Sequence, residues 1–146
     1  MGPEGVLPEV RDWLEGTDSR PWSVHSPDLV LRLDRSTAVE ELVTVLQLHG
    51  LDPRVVDLTP LSGKAELLES LHRTLELDPW FGFNWDALEE ALHGPEKSDA
   101  PERVLVCSGF QEFCERAPAD AGVLLNIIRA VARIPTSGLR GCVLIG

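Results

Sequence analysis

LHRTLELDPWFGFNWDALEEALHG, residues 71–94, changes character twice in 24 residues. Leu71 and Leu75, with Leu68 just upstream, mark one face of a helix spanning about Ser62 to Leu77. Pro79 and Gly82 then break both the helical and the strand period, so DPWFG is a loop. A second helix opens at Asn84, a good N-cap residue. At 100° per residue Ala87, Leu88, Ala91 and Leu92 share one arc, while Asp86, Glu89, Glu90 and His93 lie opposite. The helix therefore has one buried face and one acidic face. Asp86 and Glu90 form a like-charge i, i+4 pair that costs a few tenths of a kcal/mol, partly recovered because Asp86 sits in the positive first turn.

Four of the eight aromatic residues of the chain, Trp80, Phe81, Phe83 and Trp85, fall within six positions of that stretch, in a chain with no Tyr. Successive loop positions point in different directions, so all four cannot be buried. Phe81 and Trp85 are expected to staple the helix to the sheet. Exposed aromatic surface beside fixed carboxylates has the makeup of a protein-binding hot spot that selects a basic partner. Taken without the aromatics, a solvated helix face is the commoner origin of such an acidic stripe.

Working outward, a strand-helix unit recurs. LVLRL (29–33) reads as a strand, and Thr37 with Glu40 reads as a capping box ahead of Val39, Leu42, Val43 and Leu46, an amphipathic stripe ending at Gly50. RVVDL (54–58) is the next short strand and RVLVC (103–107) another. FQEFCER is a short helix, Asp120 to Arg133 a longer one stopped by Pro135, and CVLI (142–145) a last strand. Strands alternating with helices imply an α/β fold: a small parallel sheet of three to four strands flanked by helices. Residues 1–27 read mostly as an N-terminal extension, although PEVRDWLEG can make two helical turns; residues 28–146 form one domain.

Composition narrows the function. No apolar run approaches the roughly 18 residues of a membrane span, so no membrane partner is expected. The net charge of −11 argues against direct nucleic-acid binding, which needs clustered Lys and Arg. Ten acids against three bases in residues 64–102 put −7 of that charge around the opening stretch. A basic partner is the natural complement. Cys107, Cys114 and Cys142 form no CxxC pair and read as reduced, buried thiols. The beginning, MGPEGVLPEV, lacks a basic head and apolar stretch, so the cytoplasm is the expected compartment.

The stretch at 71–94 resembles the barstar family, intracellular inhibitors of barnase-type ribonucleases. There a Leu-His-polar-Thr-Leu helix leads into an aromatic-aromatic-Gly-x-Asn-x-Asp-Ala-Leu segment and an acidic recognition helix. A looser likeness continues through RVLVCSGFQEF, LLNIIRAVAR and GCVLI, so the resemblance covers a core of about 54–146, with residues 28–50 as an added β-α unit. It implies a barstar-like fold whose loop and acidic helix plug a basic ribonuclease active site, carboxylates taking the places of RNA phosphates. The implied partner-binding residues are Trp80, Phe83, Asn84, Asp86, Glu89, Glu90, His93 and Gly94. Trp80 stands where the family presents a contacting Tyr, Asn84 and Asp86 match the family's own residues, and Glu90 replaces its main phosphate-mimicking Asp. Glu89 and Pro95 stand where barstar has exposed Trp residues, and Ala130 where it carries a further acidic contact.

Two other readings compete. Asp86 and Glu90, one helical turn apart near His72 or His93, have the residue types of acid-base chemistry. Against an enzyme, the chain has no HExxH, GxSxG or GxGxxG, and LSGKAE fails the phosphate-loop pattern, with Leu58 where its first Gly belongs and Ala65 where Ser or Thr belongs. No catalytic residue, metal or cofactor is expected. The second alternative is an immunity or interaction protein using the same acidic surface against a different basic toxin or cellular partner.

Overall fold

The computed structural model describes residues 7–17, 29–79, 82–93 and 100–146. Its elements are α1 (Leu7–Thr17), β1 (Val30–Leu33), α2 (Val39–Leu48), β2 (Asp52–Asp57), α3 (Lys64–Thr74), α4 (Trp85–Leu92), β3 (Arg103–Ser108), α5 (Phe110–Arg116), α6 (Pro118–Ala132), a 3₁₀ turn (Pro135–Ser137) and β4 (Leu139–Ile145). The strands form one four-stranded parallel sheet in the order β1-β4-β3-β2. This is the α/β architecture the alternating pattern implies. Among the described residues no helix is long and apolar enough to cross a membrane.

Two apolar clusters cover opposite faces of the sheet. One gathers α3, α4, α5 and α6 over Val56, Leu105, Cys107, Cys142 and Leu144. The other gathers α1 and α2 over Val104, Val106, Val143 and Ile145. The alternation of numbering along β3 and β4 is the two-residue period of a strand buried on both sides, which is why these segments read as unbroken apolar runs. Cys107 and Cys142 lie buried with their sulfurs 3.9 Å apart, and burial pushes the Cys142 thiol well up. Cys114 is half-buried rather than buried.

β1 joins the sheet as an edge strand beside β4, Val30 aligned with Cys142. The segment ahead of it forms an 11-residue helix, longer than the two turns that PEVRDWLEG implies. Val10, Trp13 and Leu14 of α1 are buried against the second cluster. Gly141 makes this possible: a Cβ there would meet the Leu29 carbonyl and lie 2.8 Å from the Trp13 ring. The Arg140 guanidinium, itself buried, donates to the Leu14 carbonyl at 2.8 Å and pairs with Glu102 at 3.2 Å.

Two local readings need correction. The Thr37–Glu40 capping box does not form: the N-cap of α2 is Ala38, with no side-chain cap bond. Starting one residue later moves Glu40 off the position from which it could reach back, and Asp34 takes over the turn by accepting from Ser36 N at 3.0 Å. The helix expected to reach Leu77 stops at Thr74. Glu76 turns to φ 51°, and Arg54 holds it there at 2.8 Å while also donating to the Thr74 carbonyl.

Candidate functional site

α4 is eight residues long, too short to persist without tertiary support. Leu88 and Leu92 supply it, both fully buried against the cluster that contains α6. Each contributes about 1.5–3 kcal/mol by leaving water. Trp85 packs half-buried on the same cluster, as expected of a staple, and Lys64 of α3 lies 5.7 Å over its ring.

Asn84 caps the front of the helix. Its Oδ1 accepts from Ala87 N at 2.8 Å, and its Nδ2 donates to the Gly82 carbonyl at 3.3 Å. The preceding residue, Phe83, adopts φ 51° and is 47% exposed. That combination places a large apolar side chain at the mouth of an acidic helix.

The helix then divides as the wheel predicts. Asp86, Glu89 and Glu90 are exposed, and Ala87 and Ala91 are half-buried beside the two leucines. His93 is the half-buried C-cap, its backbone N–H reaching the Glu90 carbonyl at 3.2 Å. Asn84 is exposed, but its amide is already engaged on both sides, so it orders the site as well as facing outward. Trp80, Phe81, Gly94 and Pro95 lie outside the described residues, as does Trp22. Ala130 is exposed on α6.

Two residues of this region were not singled out for it by their sequence pattern. His72, which enters the sequence reading only beside Asp86 and Glu90 in the acid-base alternative, contacts Phe83. Arg103, the first residue of β3, donates through Nη2 to the Leu92 carbonyl at the end of α4 and to the Ser137 carbonyl at 3.2 Å. Burial pulls the Arg103 guanidinium below its usual value, repulsion from Arg54 adds to this, and Asp52 opposes it. The available signal was an arginine at the head of an otherwise apolar strand, which has to find acceptors when the strand is buried.

A parallel sheet sandwiched by helices, with one short acidic helix standing apolar side in and carboxylates out, defines a small α/β protein of barstar-like architecture. The family model of barstar, the barnase inhibitor, matches residues 51–139, more than half of the chain. The chain belongs to the barstar family. The match opens just ahead of β2 and closes at the first residue of β4, so α1, β1 and α2 lie outside it. No curated protein matches the chain. The family is one of inhibitors that bind barnase-type ribonucleases.

Proposed function

We propose that this chain is an inhibitor of a small, basic, guanyl-preferring microbial ribonuclease, and that it blocks the enzyme's active site with the Phe83–Asn84 loop and the acidic face of α4. The observation that carries this reading is the exposure of Asp86, Glu89 and Glu90 together on a helix pinned from behind by Leu88 and Leu92. An active site built for RNA holds cations that water or phosphate otherwise stabilises. A plug that expels both has to bring anions of its own. Glu90 is assigned the central anion and Asp86 a second, with Phe83 and Trp80 as apolar anchors, Glu89 and His93 at the rim, and Gly94 closing the contact. The chain itself performs no chemistry in this reading and needs no cofactor. It acts in the cytoplasm, on a protein rather than on nucleic acid.

The test is inhibition. RNA cleavage by a small guanyl-preferring ribonuclease is measured against increasing amounts of this protein, and one-to-one loss of activity is expected. If a panel of such enzymes cleaves undisturbed, the acidic face serves an immunity or interaction role toward a different basic protein.

A further inference from the structure

α4 has its charges at the wrong end. Glu89 and Glu90 occupy its last turn, where the helix dipole and the unpaired carbonyls are already negative, and that turn contains no basic residue. The functional carboxylates therefore sit where they weaken the element that presents them. A cation brought from outside the helix would offset this, and Arg103 is the described residue whose guanidinium reaches that end.

We infer that Arg103 is the positioning residue of the acidic helix: it anchors the rear of α4 so that Glu89 and Glu90 are held in place before a partner arrives. The inference rests on the reading of α4 as the ribonuclease-contacting element. The geometry is specific. One Nη2 serves the Leu92 carbonyl of α4 and the Ser137 carbonyl of the 3₁₀ turn, while the Arg103 backbone N–H donates to the Gly138 carbonyl at 2.8 Å. A single residue thus ties α4, the turn before β4 and the head of β3 together. Asn84 does the corresponding work at the front, so the two turns of α4 are fixed at both ends. An aliphatic residue at 103 would leave the Leu92 carbonyl without its donor and the negative end of the helix without the cation that reaches it. Arg103 makes no proposed contact with the partner, so its effect on binding has to pass through the helix.

The experiment uses the full chain and two readouts. Amide hydrogen exchange across residues 84–93 is measured in the free protein for Arg103→Met, with residues 118–132 of α6 as the internal reference. Inhibition of a confirmed ribonuclease partner is then measured for Arg103→Met in the parent and in the Glu90→Ala background. Selective loss of protection in α4 is expected, with inhibition weakened about tenfold in the parent. In the Glu90→Ala background the penalty should shrink, because residues that act through one another are not additive. Unchanged exchange in α4, or equal loss in α4 and α6, overturns the inference, and so does an equal penalty in both backgrounds. If Arg103→Met does not fold, Arg103→Lys decides: it keeps the cation but not the shared reach to two carbonyls, so intermediate protection supports the anchor and parental protection overturns it. A parent that inhibits no ribonuclease brings down the functional reading, while the exchange experiment still decides whether Arg103 holds α4.

Discussion

The rings of His72 and Phe83 lie with centroids 5.2 Å apart at an interplanar angle of 42°. His72 is on α3 and Phe83 at the entrance to α4, so the pair bridges the loop between them. The Nε2 of the same histidine sits 3.2 Å from the Asp78 carbonyl. A carbonyl only accepts, so Nε2 carries a proton. One side chain thus holds the loop by its backbone near the start and by an aromatic ring near the end.

Phe83 pays for its position in backbone energy, because a left-handed φ costs a residue with a Cβ about 1–2 kcal/mol. Phe83→Gly is expected to be more stable than Phe83→Ala by about 1 kcal/mol in urea unfolding, since both lose the ring and only alanine keeps the penalty. Both should weaken inhibition alike. Equal stabilities would mean that the φ of 51° is not kept once the ring is gone.

Removing Glu90 should strand partner cations in a dry interface. Glu90→Ala is expected to weaken inhibition at least about 30-fold, or about 2 kcal/mol, mainly through faster dissociation. The thermal transition should barely move, since the side chain is exposed. Glu90→Asp tests whether the partner's pocket is set for the longer acid. If Glu90→Ala inhibits as tightly as the parent, the anion role passes to Asp86 or Glu89.

Association should respond to salt. With −7 of the charge in residues 64–102, a basic ribonuclease should be captured at up to about 10⁸ M⁻¹s⁻¹ at low ionic strength. The rate should fall as the Debye length shortens toward roughly 8 Å. Stopped-flow rates that stay flat with salt would remove steering as the purpose of the acidity.

Acid stability should depend in part on Asp57. Partial burial pushes its carboxyl up, but the backbone and hydroxyl of Thr59 and the Ser108 hydroxyl outweigh this and hold it below the usual aspartate value. Its folded value is the lower one, so its contribution is complete above the unfolded value, about 4. That contribution is lost as pH falls through the folded value. Asp57→Asn should flatten the fall in stability below about pH 4, because asparagine keeps an acceptor but does not titrate. Urea midpoints from about pH 2 to 6 check this; an unchanged acid limb would assign the loss to other carboxylates.

Gly141→Ala should destabilise the fold by about 1–3 kcal/mol. The new methyl meets a backbone carbonyl at Leu29 that cannot swing away and presses on Trp13. Trp13→Ala added to Gly141→Ala should recover none of the clash with Leu29. Full recovery in thermal unfolding would show that the tryptophan alone sets the need for glycine.

α4 is legible in the sequence because its information is local: a capping residue, an apolar arc and an acidic arc within ten positions. The strands were legible for the same reason, as short apolar runs between turn residues. What stayed hidden depends on distant partners. Among the described side chains of α1, Val10, Trp13 and Leu14 are buried; the slot for Trp13 is cut by a glycine on β4, while the carbonyl of Leu14 is met by an arginine 126 residues away. Arg103 opens a strand and His72 lies in the last turn of a helix, each ordinary in its own element, and only the packing of α4 brings them to the site. At Thr37 a local signal misled because Asp34, three residues earlier, offered the backbone a competing turn.

The strand order also sets a timetable for synthesis. Among the described strands β1 is made first, yet its neighbour in the sheet is β4, more than a hundred residues later. Until β4 emerges, residues 29–33 lack the strand they pair with in the described sheet, and α1 and α2 lack Val143 and Ile145 of the surface they cover. β2, β3 and the helices α3 to α6 all precede β4 and can come together first, so the acidic helix can take shape against α6 on the nascent chain before α1, β1 and α2 close over the other face. The pairing of β1 with β4 is then the longest-range strand contact of the described sheet and the one expected to form last, and a short linker from β4 back to α1, with new ends opened elsewhere, would turn that slow encounter into a local one.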